Sequence, residues 1–169
     1  MAGAVLIVLG GLPGSGKSTI AREVARALGA THLRIDAIEN ALIHSGELAV
    51  PIGAAGYLVA YALAAENLRL GLAVIADSVN PIPLTRAAWR ETARKADAPA
   101  LEVEIFCSDP ALHRQRLEAR VENMEGQRPI TWAEVTARGY QPWTETALRL
   151  DTATLSVEEC ARRIVAACR

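Results

Sequence analysis

The chain has 169 residues, the size of a single compact domain, and is 51% hydrophobic but only 4% aromatic, so its core must come from Ala, Val, Leu and Ile. A formal net charge of −1 and a pI near 6.3 exclude the basic field expected of a general nucleic-acid or anionic-membrane binder. The cysteines, Cys107, Cys160 and Cys168, form neither a CxxC pair nor a disulfide framework, which favours a reduced, cytoplasmic setting.

Ala4–Leu9 is a continuous, β-branched-rich run ended by Gly10-Gly11, as expected of a strand buried on both faces of a parallel sheet. It lacks a basic leader and is too short to span a bilayer, so it reads as a strand and no membrane segment is expected. From Ser18 to Leu28 apolar residues recur at Ile20, Val24 and Leu28, and Gly29 supplies a stop, which predicts the first helix. His32–Ile35 reads as a second strand, with Asp36 placed to cap a helix through Ile38, Leu42 and Ile43. Gly46–Gly56 contains Pro51 and reads as a loop, Tyr57–Leu70 as an apolar helix stopped by Gly71, and Leu72–Ala76 as a third strand ending in Asp77.

Leu84–Lys95 predicts another helix and Leu101–Cys107 a fourth strand. Ser108-Asp109-Pro110 starts the next helix, with Asp109 as N-cap and Pro110 in the first helical position, where its missing N–H is not needed. Thr131–Ala147 has a mostly helical pattern despite Pro142, followed by a short strand at Leu148–Leu150 and a last helix at Val157–Cys168. Strands and helices in alternation predict an α/β fold, a five-stranded parallel sheet with helices on both faces and ligands at the strands' carboxyl ends. One domain, residues 1–169, with a lid at about 114–130, is the expected organisation.

Gly11-Leu12-Pro13-Gly14-Ser15-Gly16-Lys17-Ser18 joins the first strand to the first helix. Glycines at these spacings let successive backbone N–H groups face phosphate oxygens, and the helix N-terminus adds partial positive charge. Lys17 then bridges β- and γ-phosphates while Ser18 offers its hydroxyl to Mg²⁺. Gly11, Pro13, Gly14, Ser15, Gly16, Lys17, Ser18 and Thr19 are therefore the candidate nucleotide-binding residues, with ATP and Mg²⁺ as the expected cofactors. Asp77, at the end of the third apolar strand, is the candidate second metal residue, or a cap for the turn that follows.

Asp36, at the end of the second strand, is expected beside the phosphate loop, where its carboxylate can take the proton of an attacking hydroxyl. Glu39 lies one turn further on. Arg116 and Arg120 share a helix face, and Arg128 lies beyond Gly126; arginines from a lid can neutralise charge that spreads over a phosphoryl group in transfer. His113 reads as a partly buried helix residue, and Trp89, Trp132 and Trp143 as packing anchors.

With GLPGSGKST, the RID segment at Arg34–Asp36, VIADSVNPIPLTRAAW at Val74–Trp89 and RQRLEAR at Arg114–Arg120 in this order, residues 4–143 resemble the AAA_33 family of small P-loop kinases. They are also similar to the kinase domain of phage polynucleotide 5′-kinase and to chloramphenicol-inactivating kinases of this fold. The resemblance implies a nucleoside monophosphate kinase-like fold and an ATP-dependent phosphotransferase. It makes Asp36 the general base, Lys17 and Ser18 the phosphate and Mg²⁺ contacts, Asp77 the acid behind the metal, and Arg120 a lid arginine. Polynucleotide kinases carry an arginine three residues after the base, whereas this chain has Glu39, which should repel a nucleic-acid backbone. The segment Ala41–Tyr61 contains no Lys or Arg. The expected acceptor is a small hydroxylated metabolite, nucleoside or antibiotic. A 5′-hydroxyl polynucleotide kinase and an acceptor-free regulatory module stand as alternatives, and oligomeric state is not readable from the sequence.

Overall fold

The structure, a computed structural model, describes residues 3–47, 51–119, 130–143 and 148–168. Strands β1 (Leu6–Gly10), β2 (Thr31–Arg34), β3 (Val74–Asp77), β4 (Ala100–Phe106) and β5 (Leu148–Asp151) form one sheet in the order β2-β3-β1-β4-β5. Every neighbouring pair is parallel. The helices are α1 (Lys17–Leu28), α2 (Ile35–His44), α3 (Ala55–Arg69), α4 (Pro83–Lys95), α5 (Pro110–Glu118), α6 (Trp132–Thr136) and α7 (Val157–Ala167). The sandwich is the expected α/β P-loop architecture, with helices on both faces.

The pleat of β1 explains why its run is unbroken by polar residues. Ile7 and Leu9 pack with Ile20 and Val24 of α1 and Ile164 of α7, whereas Leu6 and Val8 face Ala60, Ala64 and Leu68 of α3 and Trp89 of α4. Two cores, one on each face, make both sets of alternating side chains fully buried. Trp89 and Trp143 act as the packing anchors expected of them, at 0% and 3% exposure.

Three local expectations need correction. The second strand stops at Arg34, and Ile35 already belongs to α2, so Asp36 stands in the first helical turn; Arg34 is the N-cap, with no side-chain cap bond. Because β3 lies between β2 and β1, Asp36 is one strand removed from the phosphate loop rather than directly beside it. Finally, the helix expected over 131–147 is confined to Trp132–Thr136, opened by a capping box of Thr131 and Glu134. Beyond it, Gly139 and Pro142 disfavour helix, and Gln141 N donates instead to the Pro81 carbonyl at 2.9 Å. The remaining expected residues, 144–147, lie outside the described ones.

The return segment 137–143 is fastened to the sheet. Glu104 of β4, 2% exposed, accepts hydrogen bonds from the Tyr140 hydroxyl (2.9 Å), Trp143 N (3.3 Å) and Arg149 Nε (2.6 Å). Buried Arg86 of α4 donates to the Asn80, Pro81, Gln141 and Pro142 carbonyls, with its guanidinium carbon 4.7 Å from the centre of the Trp143 ring. Trp143 lies so close to Gly10 that a Cβ there would fall 2.0 Å from the indole.

Candidate active site

The chain between β1 and α1 turns through Gly11, Gly14 and Gly16 at φ of 143°, 84° and 99°. At Gly11 a side chain is also excluded by space, because a Cβ would lie 2.0 Å from the Ile105 carbonyl oxygen of β4. Gly16 is the N-cap of α1, no side chain caps that end and no acid occupies its first turn, which suits that end to an anion. Lys17 is 8% exposed, with Nζ 3.1 Å from the Leu12 carbonyl.

The loop is held from behind. The Thr152 hydroxyl, just after β5, donates to the Ser15 carbonyl at 3.0 Å. His113 Nε2 of α5 donates to the Pro13 carbonyl at 2.8 Å, and its ring meets Trp132 edge-on at 5.1 Å. His113 is thus the buried helix residue expected, with an added contact to the phosphate loop that its sequence position did not signal.

Asp77 ends β3 opposite Leu9 of β1 and is 3% exposed. Burial pushes its pKa up, but hydrogen bonds from His32 and Ser18 and the charge of Lys17 outweigh this, holding the carboxyl below its ordinary value. The His32 contact is 3.1 Å from Nε2 to Oδ2, made possible by the β2–β3 pairing. An ionised Asp77 beside the Ser18 hydroxyl is a hard-oxygen donor set suited to Mg²⁺. Among the described residues no group of three or more His, Cys, Asp or Glu could hold a metal ion.

Asp36, its side chain 47% exposed, lies 3.2 Å from Arg34 Nη2. Across from it, Glu39 is raised above the ordinary carboxylate value first by burial and next by the Asp36 charge, with Arg138 opposing. Its stem crosses α3 at Gly56, where a Cβ would lie 2.4 Å from Glu39 Cγ. The Tyr57 hydroxyl is raised by burial and, less strongly, by Glu39 and Asp36.

One cleft of about 1160 Å³ gathers these groups at the carboxyl edge of the sheet. Pro13, Gly14, Gly16, Lys17, Ser18 and Thr19 line its middle, Asp36 and Asp77 one side, and Arg116 another. Gly11 and Ser15 are buried beneath the loop and shape it from inside. Arg116 leans toward the end of β5, donating to the Thr152 hydroxyl and carbonyl, each at 3.0 Å. Arg120 and Arg128 lie outside the described residues. Arg138 and Thr152 also line the cleft, and neither was singled out in the sequence; only the position of Arg138 after the lid hinted at it.

A family model described as an AAA domain matches residues 6–138. The chain belongs to the AAA_33 family. No curated protein matches it at a significant level. Among solved structures, the APS kinase of Mycobacterium tuberculosis, in complex with AMPPNP and APS, is 21% identical with a TM-score of 0.69 over 98% of both chains. A gluconokinase from Sinorhizobium meliloti 1021 is 19% identical, TM-score 0.67, over 98% of this chain and 91% of that one. A Chloroflexus aurantiacus protein is 18% identical, TM-score 0.76, over 99% and 97%. This AAA_33 chain therefore has the fold of small P-loop kinases, and no helix among its described residues is long and apolar enough to cross a membrane.

Proposed function

We propose that this AAA_33 protein is an ATP-dependent kinase that transfers the γ-phosphoryl group to a hydroxyl of a small molecule. The observation that carries this reading is a half-exposed carboxylate, Asp36, in the same cleft as Lys17, Ser18 and Asp77. A nucleotide switch without an acceptor would have no use for it there.

Lys17 and the amides at the start of α1 hold the β- and γ-phosphate oxygens. Asp36 accepts the acceptor hydroxyl's proton as that oxygen bonds to the γ-phosphorus and the bond from phosphorus to the β–γ bridging oxygen breaks, releasing ADP. Ser18 and Asp77 would hold Mg²⁺, which when bound neutralises charge on the phosphates. Arg116 is proposed to face the nucleotide and Arg138 the transferred group, with Arg120 and Arg128 the remaining candidates for that second role. Glu39 beside the base argues against a phosphodiester backbone as acceptor.

The test is Asp36→Asn, assayed for phosphoryl transfer from labelled ATP to a pool of metabolites and antibiotics. Transfer should fall by two to four orders of magnitude, on the scale of a lost general base, while ATP affinity stays within about threefold of wild type. Undiminished transfer would remove Asp36 from the mechanism.

A further inference from the structure

The side of the cleft beyond Asp36 holds groups that phosphate binding does not use. Glu39 makes no hydrogen bond or ion pair among the described residues, although it is half-buried and feels both Asp36 and Arg138 through longer-range charge. It is directed rather than incidental, because its stem lies over Gly56, where any larger residue would displace it. Next to it, Tyr57 lines the same cleft. Ser78, 4% exposed, stands behind them within hydrogen-bond reach of the Tyr57 hydroxyl.

The two cations nearby leave room for a third. Arg34 is engaged by Asp36, and Arg138 stands exposed with no ion pair to Glu39 among the described residues. A half-buried carboxylate with no donor among the described residues, a second carboxylate one turn away and an aromatic side chain in the same wall are together the chemistry that binds an ammonium ion. Building on the kinase reading above, we infer that the acceptor is an alcohol carrying an ammonium group, an amino sugar or amino alcohol. Glu39 and the Tyr57 ring take the ammonium, and Asp36 takes the hydroxyl.

The experiment compares acceptors matched in shape but not in charge: glucosamine, glucose and gluconate, and ethanolamine, ethylene glycol and glycolate. Each is assayed for kcat/KM of transfer from labelled ATP with wild type, Glu39→Gln and Gly56→Ala. The ammonium member of each set should exceed its neutral partner by about tenfold or more, the discrimination of one charge-assisted hydrogen bond, and the anionic member should be poorest. In Glu39→Gln that ratio should collapse to within about threefold. Gly56→Ala should do the same by displacing Glu39, and since alanine favours a helix more than glycine does, its melting temperature should not fall by more than a few degrees.

A wild type that prefers neutral or anionic acceptors, or a ratio unchanged in both variants, overturns this inference and leaves the kinase reading standing. No transfer to any member also overturns it. If the pool of metabolites and antibiotics receives no label either, the kinase reading falls with it.

Discussion

Replacing Arg86 by methionine should test whether segment 137–143 is anchored as described. Arg86 is 6% exposed and supplies hydrogen bonds to four backbone carbonyls, at 3.1 Å to Asn80 and 3.3 Å to Pro81, and also to Gln141 and Pro142. Methionine keeps most of the apolar contact with Trp143 but no donor. The Gln141 and Pro142 residues are exposed and can turn to water, and the Pro81 carbonyl keeps the Gln141 amide, which leaves the buried Asn80 carbonyl as the costly loss. At about 1–3 kcal/mol for that carbonyl, plus about 1 kcal/mol for the lost cation–π contact, the destabilisation comes to roughly 3 kcal/mol. For a chain of this length that is a fall in Tm of roughly 6–12 °C, measurable by calorimetry. Arg86→Lys, which keeps the charge but not the fork, should fall between the two. A loss of less than about 2 °C in Arg86→Met would show that Glu104 alone holds the segment.

The other expectations concern the loop and its surroundings. Lys17→Met should weaken ATP binding by about ten- to a hundredfold, the value of a charged hydrogen bond, as read by calorimetric titration; unchanged affinity would remove Lys17 from the phosphate site. Gly11→Ala combines a left-handed φ with a Cβ 2.0 Å from the Ile105 carbonyl oxygen, so it should cost about 3 kcal/mol or more, seen in chemical denaturation. Burial pushes Tyr61 up to about 12 from 10.0, with the Tyr57 charge adding to it. Its contribution to stability is therefore complete below pH 10 and is lost as pH rises toward 12; phenolate absorbance showing Tyr61 ionised at pH 10 in the folded protein would contradict this. Asp77 works in the opposite sense. Its folded value lies below 3.8, so its contribution is present above that pH and lost as pH falls through the lower value, and Asp77→Asn should flatten the acid limb of the stability curve.

Much of the fold was legible in the sequence because the signals were local. A β-branched run at Leu6–Gly10, glycines at the turn into α1, and Asp109-Pro110 at the start of α5 each specify an element through backbone geometry alone; the Asp109 side chain does accept from the Ala111 and Leu112 amides, at 2.9 and 3.1 Å. The expected helix over 131–147 failed because its periodicity was outweighed by Gly139 and Pro142, together with bonds to Pro81, Glu104 and Arg86 that come from distant parts of the chain.

What the sequence determined by itself was the phosphate loop and the parallel α/β plan, since both follow from residue types at fixed short spacings. Tertiary structure decided the rest of the site. Strand order put β3 between Asp36 and the loop, and parallel pairing brought His32 of β2 onto Asp77. Packing of α2 on α3 turned Glu39 across Gly56, and the fastening of segment 137–143 to the sheet set Arg138 at the cleft. Such contacts join residues tens of positions apart, and only closure of the chain on itself, not any local pattern, chooses among them.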